Sequence, residues 1–309
     1  MAITGVLRSA MMQLRVLDME ESLHFYKDVL GLYEVCRTDD GRVCLKAWDE
    51  FEHHSLTLRQ APEAGMDFMA FKVQEDSCLD KLAQATRAFG LECSFVAANS
   101  DQPGYGRRLT VQVPTGHRID LFAQSELSSP QPGLLNPEIW PVEPHGIGVT
   151  CFDHALLFGP NANGTVRYFT EVLGLSVAEV LRGPDGVSDV CSWLTGNNRP
   201  HDLAVLEFDQ PGKLHHVGFK LGTWTDIGRA ADLMSINSVD IDAGPMRHGI
   251  TRGQTIYFFD PSGNRVEVYA GGYSHFPDMP LRVWDFDHAG KGIFYYSRQL
   301  NDSFLTVVT

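Results

Sequence analysis

The sequence predicts an α+β protein of two domains, each built from two βαβββ modules that form a curved mixed sheet around a cavity. Three observations carry that expectation. Segments beginning at residues 24, 66 and 113 return in the same order at 167, 214 and 260, which marks an internal duplication. Each copy reads as strand, helix and several short strands, twice over. Between Gln124 and Gly146 lies QSELSSPQPGLLNPEIWPVEPHG, whose five prolines make it a connector rather than helix or sheet. The expected division is an N-terminal non-catalytic domain over 1–124, a linker over 125–150, a C-terminal catalytic domain over 151–272, and a tail over 273–309.

The first module opens on a strand, and Asp18 followed by Glu21 then signals a helix start. That helix holds HFYKDVLGL (24–32) and stops at Gly31. MDFMAFKV (66–73) opens the second module and VPTGHRIDLFA (113–123) closes it. In the other half, FDHALLF reads as a strand, TVRYFTEVLG as a helix, and LSVAEVL, VCSWLT and HDLAVLEF as strands. LHHVGFKL, a helix near 225–236, VDIDAG, TIYFFD and RVEVYA complete the fourth module. The aromatic-rich tail after Gly272 falls outside the modules and is expected to close over the cavity mouth, with His288 facing solvent.

Composition narrows the function. The chain has 309 residues, 43% hydrophobic and 21% charged, an ordinary globular balance. A net charge of −14 without a basic patch excludes a nucleic-acid or anionic-membrane partner. No apolar run approaches a membrane span, and the start lacks a signal-peptide layout, so a cytoplasmic protein is expected. The six cysteines show no CxxC pairing and read as reduced thiols. Of the 12 histidines, four precede residue 125 and eight lie from 145 onward.

The last repeated segment poses the chemical question. In RVEVYA (265–270), alternation sends Val266, Val268 and Ala270 to one face and Arg265, Glu267 and Tyr269 to the other. Laid over RIDLFA (118–123), Glu267 matches Asp120; LHHVGFKL over MDFMAFKV matches His216 to Phe68. Allowing an insertion before the helix matches His154 to Gln13. The second copy thus carries His, His and Glu where the first carries Gln, Phe and Asp. Each residue alone has an ordinary structural reading, since charged groups mostly face water. Together they have the composition of a 2-His-1-carboxylate site for non-haem Fe(II), which leaves positions open for substrate and O2. Alternation alone does not choose between His215 and His216. The first half, lacking such a set, is expected to be structural, with Asp120 a surface acid.

Over essentially its whole length the chain resembles the extradiol ring-cleavage dioxygenases of the vicinal oxygen chelate superfamily, through RVLDM (15–19), RVCLKAWDE (42–50) and His248 followed by IYFFDPSGNRVE (256–267). The resemblance implies Fe(II), less readily Mn(II), held by His154, His216 and Glu267. It implies opening of a catechol ring beside one hydroxyl by O2, giving a 2-hydroxymuconic semialdehyde. It also implies His201 as acid–base, His248 and Tyr257 at the substrate hydroxyls, and Ile250, Ile293 and Phe304 around the ring. A homotetramer is implied as well. No arginine cluster for an acidic substituent stands out, although Arg247 and Arg252 lie near the site, so a neutral catechol, methyl- or chloro-substituted at most, is expected. Two alternatives stay open: a glyoxalase-type isomerase of the same superfamily, and a metal-free small-molecule-binding protein on the same modules.

Overall fold

The computed structural model describes residues 4–129 and 133–309. The first half supplies β1 (Val6–Val16), α1 (Met19–Leu23), β2 (Tyr33–Arg37), β3 (Val43–Lys46) and β4 (Leu56–Gln60). Its second module is β5 (Gly65–Val73), α2 (Asp76–Phe89), β6 (Cys93–Val96), β7 (Arg108–Gln112) and β8 (Arg118–Phe122). The second half repeats the pattern with β9 (Cys151–Gly159), α3 (Ala162–Arg167), β10 (Ser176–Arg182), β11 (Asp189–Thr195) and β12 (Leu203–Glu207). Then come β13 (Lys213–Lys220), α4 (Trp224–Ile236), β14 (Ile241–Arg247), β15 (Gly253–Phe259) and β16 (Arg265–Gly271). The tail adds β17 (Arg282–Trp284) and the short helices α5 (Ala289–Ile293) and α6 (Asp302–Thr306).

The strands form two mixed sheets, ordered β2-β3-β4-β1-β5-β8-β7-β6 and β14-β15-β16-β13-β9-β12-β11-β10-β17. In each, two modules meet through an antiparallel pair of opening strands, β1 with β5 and β9 with β13. Each opening strand also pairs in parallel with the last strand of its own module. Local chemistry places the helices as expected. Asp18 caps α1 by accepting the Glu21 N–H at 2.9 Å. The chain runs on through a π-helical turn over His24–Val29 and stops at Gly31, whose φ of +94° favours glycine.

The duplication reaches the irregularities of the strands, and this corrects one sequence expectation. The β1–β5 register skips a residue between Ser9 and Met11; β9–β13 skips between Phe152 and His154. Met11 then faces Ala70 as His154 faces Gly218, while Gln13 faces Phe68 as Leu156 faces His216. The counterpart of His154 is therefore Met11, not Gln13. No insertion separates strand from helix, so the spacing that aligns the two VLGL helices holds back into β1.

One face of each sheet joins a continuous apolar core that includes Met12, Leu14, Val266 and Val268. The two halves meet within it, a helical turn of one against a strand of the other: Phe169 packs on Phe71 at 5.5 Å between ring centroids, and Phe25 on Phe258 at 5.9 Å. The opposite face of the first sheet is filled by Met11, Phe68, Ala70, Tyr105 and Phe122. On the second sheet the corresponding face bears a cavity.

Candidate metal centre and substrate cavity

His154, His216 and Glu267 stand on three neighbouring central strands, β9, β13 and β16. One ligand atom from each lies within 4.8 Å of the other two. All three side chains are buried. Both faces of the RVEVY stretch are covered, since Arg265, Glu267 and Tyr269 are at most 2% exposed. Gly218, opposite His154, makes room for the imidazole: a Cβ there would come within 2.5 Å of the ring.

Outer partners fix how the imidazoles present themselves. His154 Nδ1 lies 2.9 Å from Asp153 Oδ2, and Asp153 in turn accepts from Arg199 Nη1 at 3.2 Å. A carboxylate only accepts, so Nδ1 carries the proton and Nε2 faces Glu267 Oε2 at 2.7 Å. His215 does the equivalent work for His216. Its Nε2 donates to the Phe304 carbonyl at 2.6 Å, leaving its Nδ1 to accept from His216 Nδ1 at 2.7 Å. His216 Nε2 then points at Glu267 Oε2, 3.1 Å away, without a hydrogen-bond partner. His216 therefore faces the cavity, and His215, stacked on Phe158 at 4.9 Å, faces the tail. Neither member of the pair faces solvent: both are buried. Glu267 Oε1 accepts from Thr255 Oγ1 at 2.5 Å, which orients the carboxylate.

The electrostatics are those of a cation site holding a proton. Burial alone would raise the Glu267 pKa, but His154, with His216 and His248 close by, holds it well below the usual carboxylate range. Burial works against a charged His154, yet Glu267 and Asp153 outweigh it and raise its pKa to about 9. Burial pushes His216 down to about 4. A divalent cation would displace the proton between His154 and Glu267. Two imidazole nitrogens and one carboxylate oxygen, with His216 Nε2 otherwise unpartnered, fit a first-row divalent metal once that proton has left.

The remaining residues singled out in the sequence gather around this group. His201, 5% exposed, lays its ring against His154 with centroids 4.1 Å apart. Its Nδ1 has no partner, and burial holds its pKa well below the usual value, so the ring is neutral. His248 Nδ1 donates to the Ile293 carbonyl at 2.5 Å, so its Nε2 accepts from the Tyr257 hydroxyl at 2.8 Å. Ile250, Ile293 and Phe304 line the cavity. So do Leu156, Trp193, Ala204, Thr251, Tyr269 and Gly292, which the sequence reading missed. Leu156 was within reach, because it lies two residues beyond His154 on the same strand face. Neither Arg247 nor Arg252 reaches the cavity lining, and Arg252 instead lies over Tyr273. The tail supplies Gly292, Ile293 and Phe304. It is bound through Arg265, which donates to the Val307 carbonyl at 2.8 Å, and through Thr309, paired with Leu214. His288 is exposed. The six cysteines are free thiols.

Asp120 is not a surface acid. It is fully buried and paired with Arg108 at 3.0 Å and Arg118 at 2.7 Å. Among the described residues, no helix is long and apolar enough to cross a membrane.

Comparison with known proteins follows this geometry. Residues 66–126 match the model for the catechol 2,3-dioxygenase-like N-terminal domain, and 151–268 that for the glyoxalase/bleomycin resistance protein/dioxygenase superfamily. The chain is 45% identical to a metapyrocatechase of Pseudomonas sp. (strain CF600), covering 99% of each. It is 28% identical to a manganese-dependent 2,3-dihydroxybiphenyl 1,2-dioxygenase of Geobacillus genomosp. 3, covering 92% of this chain and 91% of that one. Among solved structures, the 2,3-dioxygenase LapB of Pseudomonas sp. KL28 superposes with a TM-score of 0.89 at 44% identity, covering 93% of this chain and 99% of that one. Homoprotocatechuate 2,3-dioxygenase of Brevibacterium fuscum, in complex with 3,4-dihydroxyphenylacetate, gives 0.84 at 26% identity, covering 97% and 92%.

Proposed function

The chain belongs to the metapyrocatechase-type extradiol dioxygenases of the vicinal oxygen chelate superfamily and opens a catechol ring with O2; on that premise we propose how its residues do so. His154, His216 and Glu267 hold the catalytic metal, ferrous iron by preference. Their N/O donor set also suits Mn(II), on which one relative depends. The bound ion supplies Lewis-acid charge and an electron path between ring and O2. The substrate is a neutral catechol, unsubstituted or bearing a methyl or chloro group, and both atoms of O2 enter the 2-hydroxymuconic semialdehyde.

The chain's own groups divide the remaining work. Ile250, Ile293 and Phe304, with Leu156 and Trp193, clamp the ring between apolar walls that hold no Lys or Arg. His248 and Tyr257 form one hydrogen-bonded unit 2.8 Å across, placed to accept a proton from an arriving hydroxyl and hold it in register. His201 approaches from the His154 side with an unpartnered nitrogen. It takes up a substrate hydroxyl proton, in that charged form balances negative charge developing on oxygen, and returns the proton before the ring opens.

The division of labour along the chain belongs to the same proposal: a non-catalytic unit (1–124), a connector (125–150), the metal-binding unit (151–272) and a covering tail (273–309). So does a cytoplasmic homo-oligomer, expected as a tetramer. Leu134, Leu135, Ile139 and Trp140 of the connector are 59–87% exposed and suit a subunit contact.

The observation that carries the reading is the convergence of three ligand atoms within 4.8 Å beside an apolar cavity. The test is anaerobic purification, metal analysis and O2 uptake with catechol. Catechol-dependent O2 uptake is expected. An isomerase of this superfamily would take up none, and a metal-free binding protein would hold catechol unchanged.

A further inference from the structure

The skipped residues in β1 and β9 turn two backbone N–H groups out of their sheets, and each is received by a buried carboxylate from the other half of the chain. Ser9 N donates to Asp202 Oδ1 at 3.0 Å; Phe152 N donates to Glu50 Oε1 at 2.8 Å. Ser9 and Phe152 occupy the same position in the repeat, each just before the skip. The exchange is therefore reciprocal, but its consequences are one-sided, because Asp202 adjoins His201.

Asp202 is fully buried, and its hydrogen bonds come from neutral donors. Oδ1 takes Ser9 N and, at 2.9 Å, Asn197 Nδ2. Oδ2 takes Gly196 N and Asn197 Nδ2, each at 2.8 Å. The Ser9 hydroxyl, 2.7 Å from the Asp153 carbonyl and 3.0 Å from Asp202 Oδ1, has one proton to share between them. Asp202 thus gathers both ends of the 196–202 segment and fastens them to a strand of the first sheet. The same serine reaches the residue preceding His154. His201 has no hydrogen bond at Nδ1 to set its ring, so its placement over His154 depends on where that segment holds its backbone. A shift of about 1 Å in a catalytic group costs on the order of a hundredfold in rate.

We propose that Asp202, bound to Ser9, is a positioning residue for His201, so that the first half of the chain takes part in catalysis by fixing the acid–base group. The proposal rests on the reading of His201 given above. The test is a double-mutant cycle between Asp202→Ala and His201→Asn, with Ser9→Ala as a milder partner. Asp202→Ala alone lowers kcat by about tenfold or more, while bound metal and the KM for catechol stay within about twofold. In the His201→Asn background the same change costs less than about twofold, because the group it positions is gone. In the metal-free protein, Asp202→Ala and Ser9→Ala speed amide hydrogen exchange across 196–202. Equal losses in both backgrounds, loss of metal, or unchanged exchange would overturn the proposal. If Asp202→Ala does not fold, Ser9→Ala carries the cycle with the same criteria. Full turnover by His201→Asn would instead overturn the reading of His201 itself.

Discussion

The cavity face of the second sheet and its counterpart on the first begin from the same frame and neutralise a buried carboxylate in different ways. Glu267 and Asp120 stand at matching register, beside Gly218 and Ala70 of the neighbouring strand. Around Glu267 stand two imidazoles whose Nε2 atoms face the carboxylate. Around Asp120 stand Met11 and Phe68 in the ligand positions, and the charge is met by Arg108 and Arg118, whose guanidinium groups lie 5.6 and 4.8 Å from the Phe68 ring. The first sheet thus holds a permanent organic cation where the second is built for an exchangeable metal. Closure differs as well: Tyr105 and Phe122 fill the first face, whereas the tail roofs the second and leaves room for a ring.

The comparison extends to the position proposed for the acid–base group. β4 and β12 align so that His54 falls where His201 does, each two residues before its strand. His54 is tied through Nε2 to Gln102 at 2.8 Å and through Nδ1 to His53, whereas His201 has a free nitrogen. A histidine in the right place becomes a proton carrier only when its ring is not already spent on a structural partner.

The largest effect that would break this contrast comes from the carboxylate. Glu267→Ala should abolish metal retention and turnover, read by metal analysis and O2 uptake; full metal content in that variant would remove the basis of the site. Next, His201→Asn should keep its metal and lose about a hundredfold or more in kcat, while His54→Asn changes kcat by less than about twofold. Comparable losses from both would erase the distinction between a free ring and a tied one. A smaller effect, on stability alone, belongs to the first sheet. Arg108→Leu leaves Asp120 buried with one cation fewer and should cost about 3 kcal/mol, read as a lower urea midpoint, with turnover per folded molecule unchanged within about twofold. A loss of bound metal in that variant would show that the first sheet contributes to metal binding.

Much of this was legible in the sequence because duplication makes each half a control for the other. The modules and the glycine stops followed from repeated segments, and the candidates His154, His216 and Glu267 from the repeat together with the family resemblance, since alternation does not choose between His215 and His216. The failures have physical causes. Matching Gln13 to His154 assumed an insertion; the two-residue slip kept the strand parity, so nothing in the alternation exposed it. Asp120 read as a surface acid because one of its partners, Arg108, lies across a hairpin on β7, and pairing across strands is not written in local pattern; the other, Arg118, stands two residues back on the same strand. His54 was readable, since HSL (54–56) repeats HDL (201–203). The service of His215 to His216 was not, because it depends on the carbonyl of Phe304, 89 residues away.

The claim that one sheet is built for a metal and the other for an ion pair is tested most directly by titrating the anaerobic metal-free protein with ferrous ion while following catechol-dependent O2 uptake. Activity should rise in proportion and saturate at one equivalent per chain. Saturation at two equivalents, or no catechol-dependent uptake at any ratio, would contradict it.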